Sequence, residues 1–242
     1  MARHEDSLEE PRAGAGEGAV GLAVLAVLCL LPAIQSAVAV YFQIHPRITY
    51  PLLKAAIVAA PLAAWLAMKR TPREVLADIG LKRTRCLRGL VTGAVFAAVI
   101  LGGYYAVLKG AIDAAPVAAK ARSLHLADPW AYWAMAAFIS LSNSLVEEYY
   151  WRGFILDQVR RRLDNKIGLI AACGLLFGLH HVFVAAGMFS WPVAALFVLG
   201  TVAAGCVWSW QRVRGWSLLD CYVSHILADL AGFWAGWDLI TA

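Results

Sequence analysis

The amino-acid sequence predicts an all-α protein, a polytopic transmembrane helical bundle of about seven spans (six to eight). Of its 242 residues, 61% are hydrophobic and 15% are charged, whereas about a quarter of the residues in soluble domains are charged. Apolar runs of about 20 residues recur along the chain, and each can cross a hydrocarbon core of about 30 Å as a helix. The alternation typical of strands is absent. We therefore expect a multi-pass integral membrane protein.

Seven apolar segments are the predicted spans. They cover residues 18–42, 48–68, 89–113, 130–158, 167–189, 191–211 and 216–240. The chain then divides into a cytoplasmic tail (1–17), N-terminal transmembrane helices (18–128) and a helical core (129–242) in which intramembrane carboxylates and histidines concentrate. The tail mixes acids with bases and lacks the pattern of a cleaved signal peptide, so we expect no processing.

Lysine and arginine residues lie mostly on one side of these spans. Fifteen of the 21 fall in the tail and in the loops 69–88, 160–166 and 212–214. The opposite side holds Arg47, Lys109, Lys120 and Arg122. By the positive-inside rule the N-terminus is cytoplasmic and the C-terminus is outside. Short basic loops also account for the net charge of +5, so the lipid bilayer is the expected partner and nucleic acid is not.

Two features outside the main pattern remain open. The segment 72–85, PREVLADIGLKRTR, predicts either a short amphipathic helix on the inner leaflet or a solvated basic loop. Lys54 and Arg152 are the only basic residues left within spans, and the sequence assigns no role to Lys54.

Ionisable side chains inside three of the spans are the main functional signal. Such groups cost a few kcal/mol each, so they are rare unless paired, hydrated or used. They are Glu147, Glu148 and Arg152 in the fourth span, His180 and His181 in the fifth, and His225 and Asp229 in the seventh. With a helix rise of about 1.5 Å per residue, the carboxylates and histidines lie roughly 16 to 23 Å from the cytoplasmic charges. Three helices offering polar groups at one depth predict a single buried site that opens toward the cytoplasm.

Helical spacing separates the roles of the two adjacent glutamates. Glu148 and Arg152 are four residues apart and can pair on one face, which lowers the cost of burying each. Glu147 points about 100° away from Glu148 and stays available for another role.

Helical spacing also separates the expected roles of the three histidines. His225 and Asp229 are four residues apart, so the carboxylate can hold the tautomer of the imidazole and favour its charged form. Phe177 precedes His181 by one turn and can fix that ring by packing. His180 shares no face with His181, and an interhelical hydrogen bond is its expected role.

A free carboxylate facing a histidine in a water-poor cavity can deprotonate a water molecule. A second histidine can stabilise the oxyanion that forms when this water attacks an amide. Intramembrane hydrolysis by Glu147, His181 and His225 is therefore the leading hypothesis. It requires Glu147 to be ionised and His225 to be charged, which predicts a bell-shaped pH profile.

Two alternatives stay open. Glu147, His181 and His225 could instead hold Zn²⁺ with an open position for water, although no HExxH motif is present. Buried acids and histidines at one depth also suit a proton-coupled transporter, or a non-catalytic scaffold that gives immunity to a secreted peptide.

Three motifs in order resemble those of the CAAX protease and bacteriocin-processing (CPBP) family of intramembrane endopeptidases, also called the ABI family, which includes the Ras-converting prenyl protease. The motif EExxxR is Glu147-Glu148-Tyr-Tyr-Trp-Arg152, FxxxH is Phe177-Gly-Leu-His-His181, and HxxxN or a variant is His225-Ile-Leu-Ala-Asp229. The resemblance covers about residues 130–232, and the first three spans carry no motif.

The resemblance implies a metal-free glutamate mechanism in which Glu147 and His181 activate water. It also implies that His225 and the residue at 229 form the oxyanion site, while Glu148 and Arg152 support the helix. Substrates in the family include C-terminal prenylated tails, membrane-anchored precursors and leader peptides.

This chain departs from the prenyl-protease pattern because position 229 is Asp and not Asn. An ionised Asp only accepts hydrogen bonds, so we expect Asp229 to orient His225 and His225 to be the sole side-chain donor to the oxyanion. The departure leaves room for a sorting or maturation protease of a bacterial inner membrane that acts on a transmembrane tail.

Overall fold

The structure, a computed structural model, describes residues 19–80 and 86–241. This part of the chain contains nine helices and no strand. They are α1 (Leu22–Tyr41), α2 (Pro46–Ala67), α3 (Pro72–Ile79), α4 (Leu87–Ala111), α5 (Ala114–Ser123), α6 (129–160), α7 (Lys166–Ala186), α8 (Trp191–Val213) and α9 (Leu218–Thr241). The predicted all-α fold class is confirmed.

Seven of these helices are long enough to cross a bilayer. In the described part of the chain, α1, α2, α4, α7 and α8 are also apolar enough by composition. The other two, α6 and α9, carry the carboxylates of the predicted site, which makes them less apolar. The observed helices follow the predicted spans within a few residues.

The first part of the segment 72–85 forms the short helix α3, as the amphipathic alternative predicted. Residues 72–79 are helical, with Thr71 as N-cap in a capping box with Glu74. Ile79 is buried at the end of this helix, so α3 rests on the bundle. The remainder of the segment, 81–85, and the predicted tail, 1–17, lie outside the described residues.

Helix α6 alternates between α and π geometry. Its π-helical segments are Ile139–Asn143 and Glu148–Ile155, and the single α-helical turn between them is Ser144–Glu147. Such π segments are rare and occur frequently at functional sites. Side-chain directions around Glu147 therefore depart from the 3.6-residue period.

The core surrounds the segment Glu148–Ile155 of α6, in which all residues but Tyr149 are buried. Tyr150, Phe154 and Ile155 of this helix are fully buried, and they pack with Phe177 of α7 and Trp208 of α8. This cluster is also the wall of the predicted site.

Glycines allow the helices around α6 to approach closely. A Cβ on Gly89 of α4 would collide with the backbone of Asp220 in α9, and one on Gly178 of α7 would collide with Val202 of α8. Hydrophobic burial adds little between helices in lipid, so this close packing is the main source of their association.

Candidate active site

Glu147 lies at the end of the α-helical turn of α6, where its carboxylate meets two other helices. Its Oε1 accepts a hydrogen bond of 2.6 Å from Nδ2 of Asn143 and lies 3.4 Å from Nε2 of His180 on α7. Its Oε2 lies 3.7 Å from Nε2 of His225 on α9. The side chain is 12% exposed. The carboxylate that spacing left available is therefore surrounded by imidazoles.

His225 is enclosed by three carboxylates. Its Nδ1 donates to Oε1 of Glu148 at 2.9 Å, and its Nε2 lies 3.7 Å from Glu147 and 3.6 Å from Oδ1 of Asp229. The ring also stacks on Trp208 with centroids 4.3 Å apart. Because oxygens of ionised carboxylates only accept hydrogen bonds, protons on both nitrogens fit these surroundings best, and the ring is then an imidazolium.

Glu148 and Arg152 form a deeply buried ion pair. Nη1 of Arg152 lies 3.3 Å from Oε1 of Glu148, and the two side chains are 1% and 0% exposed. Nη2 of Arg152 donates to the backbone carbonyl of Gly205, and the guanidinium lies 4.2 Å from the centroid of Phe177. The i,i+4 pair that spacing suggested is present, and it has His225 as a third member.

Phe177 packs against all three histidines. Its ring centroid lies 5.2 Å from His180, 5.0 Å from His181 and 5.9 Å from His225. Phe177 is 1% exposed, and its contacts restrict the planes of the three rings. Its packing reaches further than the one turn to His181 that the sequence indicated.

The two adjacent histidines of α7 use their nitrogens differently. Nδ1 of His181 lies 3.2 Å from the carbonyl of Phe177, and because a carbonyl only accepts, this nitrogen carries the proton. Nε2 of His181 then has a free lone pair. In His180 the buried Nδ1 has no hydrogen-bond partner, which fits a ring that is protonated on Nε2 and donates to Glu147.

Asp229 has a partner of its own on α6. Its Oδ2 accepts a hydrogen bond of 2.6 Å from the hydroxyl of Ser144. The contact to His225, at 3.6 Å, is longer than a normal hydrogen bond. Asp229 thus joins α9 to α6 next to the site, while Glu148 makes the hydrogen bond to the imidazole.

A small cavity opens beside Glu147. Pro32, Gln35, Lys54, Ile57, Val146, Glu147, Tyr150, Trp151 and His180 line it. The space open to the centre of a water molecule is ≈ 20 Å³, and a cavity needs at least about 10–15 Å³ by this measure to hold one water. The cavity therefore has room for about one water molecule in contact with the carboxylate.

Three contacts near Glu147 involve residues that the sequence did not assign to the site. His180 makes the interhelical hydrogen bond expected of it, but its acceptor, Glu147, was not identified. The ring centroids of His180 and His181 are 3.9 Å apart, although the two residues were expected to share no helical face. Asn143 stands four residues before Glu147, a spacing at which amides and carboxylates hydrogen-bond along a helix, so this contact had a signal. Lys54 contacts Asn143 from α2, and only the fold brings these two residues together.

A metal-ligating set is present among the described residues. One donor atom each from Glu147, His180 and His181 lies within 4.8 Å of the other two. Carboxylate and imidazole donors suit Zn²⁺. This set differs from the one that spacing suggested, because His180 takes the place of His225.

The part of the chain that contains this site is similar to a known protein family. Residues 129–231 match a family model described as Type II CAAX prenyl endopeptidase Rce1-like. No curated protein and no solved structure matches the chain significantly. The matched segment runs from the start of α6 into α9 and contains all three motifs. The resemblance to the CAAX protease and bacteriocin-processing family is thereby confirmed over residues 129–231 of this membrane protein.

Proposed function

We propose that this protein is an intramembrane endopeptidase in which Glu147 is the general base. The observation that carries the proposal is the position of the Glu147 carboxylate beside a cavity for about one water, with imidazoles from α7 and α9 around it. General-base catalysis needs a carboxylate within hydrogen-bond reach of the proton it removes. Membership of the matched segment in a family of endopeptidases supports the same reaction.

The oxygen that takes the proton is Oε2 of Glu147. Oε1 is occupied by the donors Asn143 and His180, whereas among the described residues Oε2 accepts no hydrogen bond. We assign the second hydrogen of the water to the lone pair on Nε2 of His181. A donor atom of His181 lies within 4.8 Å of one of Glu147, although the cavity itself is lined by His180. The water oxygen attacks the carbonyl carbon, and the electron pair of the carbonyl moves onto its oxygen.

His225 supplies the positive charge for this oxyanion. An imidazolium held between Glu148 and Trp208 is preorganised, and a donor of this kind accounts for about 10²–10³ in rate. When the tetrahedral intermediate collapses, the C–N bond breaks and Glu147 returns its proton to the leaving nitrogen. Asp229 lies beside this step without donating, since an ionised Asp only accepts.

The substrate that we propose is a membrane-associated peptide: a C-terminal tail, a prenylated protein or a leader peptide. The site lies among helices apolar enough to span a membrane, so a scissile bond reaches it most easily from the bilayer. We retain a multi-pass arrangement in a bacterial inner membrane, with a cytoplasmic N-terminus, as part of this proposal.

The direct test is cleavage by the purified protein in lipid nanodiscs. The probe is an internally quenched peptide with a farnesylated Cys-aliphatic-aliphatic-Ser C-terminus, and the same peptide without the lipid shows whether prenylation matters. We expect Glu147→Gln, a nearly isosteric change, to abolish cleavage while the protein remains inserted and folded. Lys109→Met is the control because Lys109 pairs with Asp238, away from the site. Cleavage by Glu147→Gln at the wild-type rate would refute the general-base role.

Zinc-dependent hydrolysis is the second candidate, and the donor set of Glu147, His180 and His181 favours it. If Zn²⁺ were bound there, it would polarise and acidify a water molecule. The buried Nδ1 of His180 has no acceptor to receive a proton, and ligating histidines usually donate that proton to a second group, so we place this candidate below the metal-free one. Stoichiometric zinc in the purified protein, with loss of activity after chelation and return after zinc addition, would reverse this order.

A further inference from the structure

Lys54 stands close to the candidate site but outside the segment that the family model matches, which begins at residue 129. It projects from the middle of α2, and its Nζ lies 2.6 Å from Oδ1 of Asn143 on α6. It also lines the cavity beside Glu147. A lysine within a span normally faces a polar partner or a wet cavity; Lys54 has a polar partner and borders a cavity with room for about one water.

The contacts of Asn143 connect Lys54 to Glu147 in series. Asn143 accepts from Lys54 with its oxygen and donates to Oε1 of Glu147 with its nitrogen, each at 2.6 Å. The charged partners fix the orientation of the amide, because an ammonium only donates and a carboxylate only accepts. With the amide turned over, its NH₂ would face the ammonium and its oxygen would face the carboxylate. The series therefore has one favourable direction, in which Oε1 of Glu147 is the acceptor.

The charge of Lys54 also fits the balance of the buried cluster. Three carboxylates, Glu147, Glu148 and Asp229, meet around His225. A charged His225, Arg152 and Lys54 balance them.

The groups that face Glu147 come from four helices. They are His180 and His181 from α7, His225 from α9, Asn143 from α6 itself and, through electrostatic interaction, Lys54 from α2. Without Lys54 the cluster keeps an excess negative charge, which is costly in a low-dielectric interior.

We propose that Lys54 is a positioning residue for the reaction: through Asn143 it fixes the orientation of the Glu147 carboxylate, with Oε1 bound to the amide and Oε2 left open. This inference rests on the proposed function of Glu147 as general base. Without the ammonium of Lys54 the amide of Asn143 is free to rotate, and Oε1 of Glu147 loses its fixed donor. Because neither Lys54 nor Asn143 touches the substrate in this scheme, both act on the rate of the chemical step and not on substrate binding.

Infrared spectroscopy of the protein in nanodiscs at neutral pH tests the proposal without a substrate. Subtracting the spectrum of Glu147→Gln isolates the carboxyl signal of Glu147. We expect the carboxyl bands of Glu147 to shift in frequency in Lys54→Met and Asn143→Leu, because Oε1 then loses its fixed donor. Lys54→Arg keeps a donor to Asn143 and should keep the wild-type bands. Lys109→Met is the matched control, since it removes a lysine with an equally short contact, 2.6 Å to Asp238, and it should match the wild type.

Kinetics with the farnesylated peptide supplies the second readout. Lys54→Met should lower kcat by about 10- to 100-fold, a typical share of general-base catalysis, while KM changes less than about twofold and Lys54→Arg restores most of the rate. Wild-type carboxyl bands of Glu147 in Lys54→Met, or equal effects in Lys109→Met, would overturn the inference. If the wild type cleaves nothing, the proposed function has failed, whereas the infrared result still decides whether Lys54 controls Glu147.

Discussion

Oε1 of Glu148 accepts the hydrogen bond from Nδ1 of His225 at 2.9 Å, so the orientation of this imidazole is set by α6 and not by its own helix. The same oxygen pairs with Arg152 at 3.3 Å. Glu148 thus joins the arginine of the first motif to the histidine of the third. Substitution of Arg152 therefore alters the surroundings of His225 through Glu148, whose side chain is fully buried.

The position of Asp229 leads to a prediction about the Asn found at this place in the family motif. Asp229→Asn can still accept from the Ser144 hydroxyl, and it adds an N–H donor next to His225. We expect it to retain the wild-type kcat within about threefold or to exceed it, because an added oxyanion donor contributes up to 10²–10³. Asp229→Leu, which loses the contact to Ser144, is the comparison and should be slower. A large loss in Asp229→Asn would mean that the carboxylate itself is required.

The buried pair of Glu148 and Arg152 predicts a large effect on stability. Removing Arg152 leaves the buried Glu148 carboxylate with His225 but without its guanidinium partner, and loss of one partner of a buried pair costs about 3–5 kcal/mol. We expect Arg152→Met to lower the free energy of unfolding by this amount, as measured by denaturant titration in mild detergent. The combination of Glu148→Leu with Arg152→Met should cost less than the sum of the two single changes.

The exposed pair of Arg161 and Asp157 is the control for this measurement. Its contact of 2.9 Å is shorter than that of the buried pair, but the side chains are 28% and 30% exposed. Exposed pairs contribute about 0–1 kcal/mol, so Arg161→Met should change the unfolding free energy by no more than that. Equal effects of Arg161→Met and Arg152→Met would show that burial does not decide the strength of these pairs.

The sequence predicted the helices better than the contacts within the candidate site. Hydropathy places spans because backbone groups in lipid must be satisfied within helices, and this holds whatever the partners are. The contacts of Glu147 depend on the two π-helical segments of α6, for which the sequence shows no periodic signal. An ideal helix directs Glu147 and Glu148 about 100° apart, yet both carboxylates reach the ring of His225. Lys54 was beyond prediction, since its partner is 89 residues away along the chain.

His180 and His181 should differ in their tolerance of substitution. His180 uses Nε2 to donate to Glu147, and the amide nitrogen of a Gln can make a similar contact. His181 donates through Nδ1 to Phe177 and offers Nε2 as an acceptor for water, a role that Gln fills poorly. We expect His180→Gln to keep kcat within about tenfold, and His181→Gln to lose about 10²–10⁴. The reverse ranking, measured on the farnesylated peptide, would transfer the role to His180.

The capping box of α3 gives a prediction about pH for a part of the chain outside the spans. Hydrogen bonds from the backbone and the hydroxyl of Thr71 lower the pKa of Glu74 from its ordinary value of 4.5, and the nearby Arg70 adds to this effect. A carboxyl whose pKa is lowered by folding stabilises the folded state above its ordinary pKa, and this contribution is lost as the pH falls through the lowered value. Glu74→Gln keeps a capping side chain without the charge. Hydrogen exchange of the α3 amides, corrected for intrinsic rates, should therefore be slower in the wild type than in Glu74→Gln at neutral pH, and the two should converge in acid. A constant difference between the wild type and Glu74→Gln across the acid range would show that the charge of Glu74 does not stabilise this helix.

The other half of the capping box predicts an effect of Thr71. In Thr71→Ala the α3 amides should exchange about fivefold faster than in the wild type at neutral pH, in line with the usual value of an N-cap, while in Thr71→Ser they should stay close to the wild type.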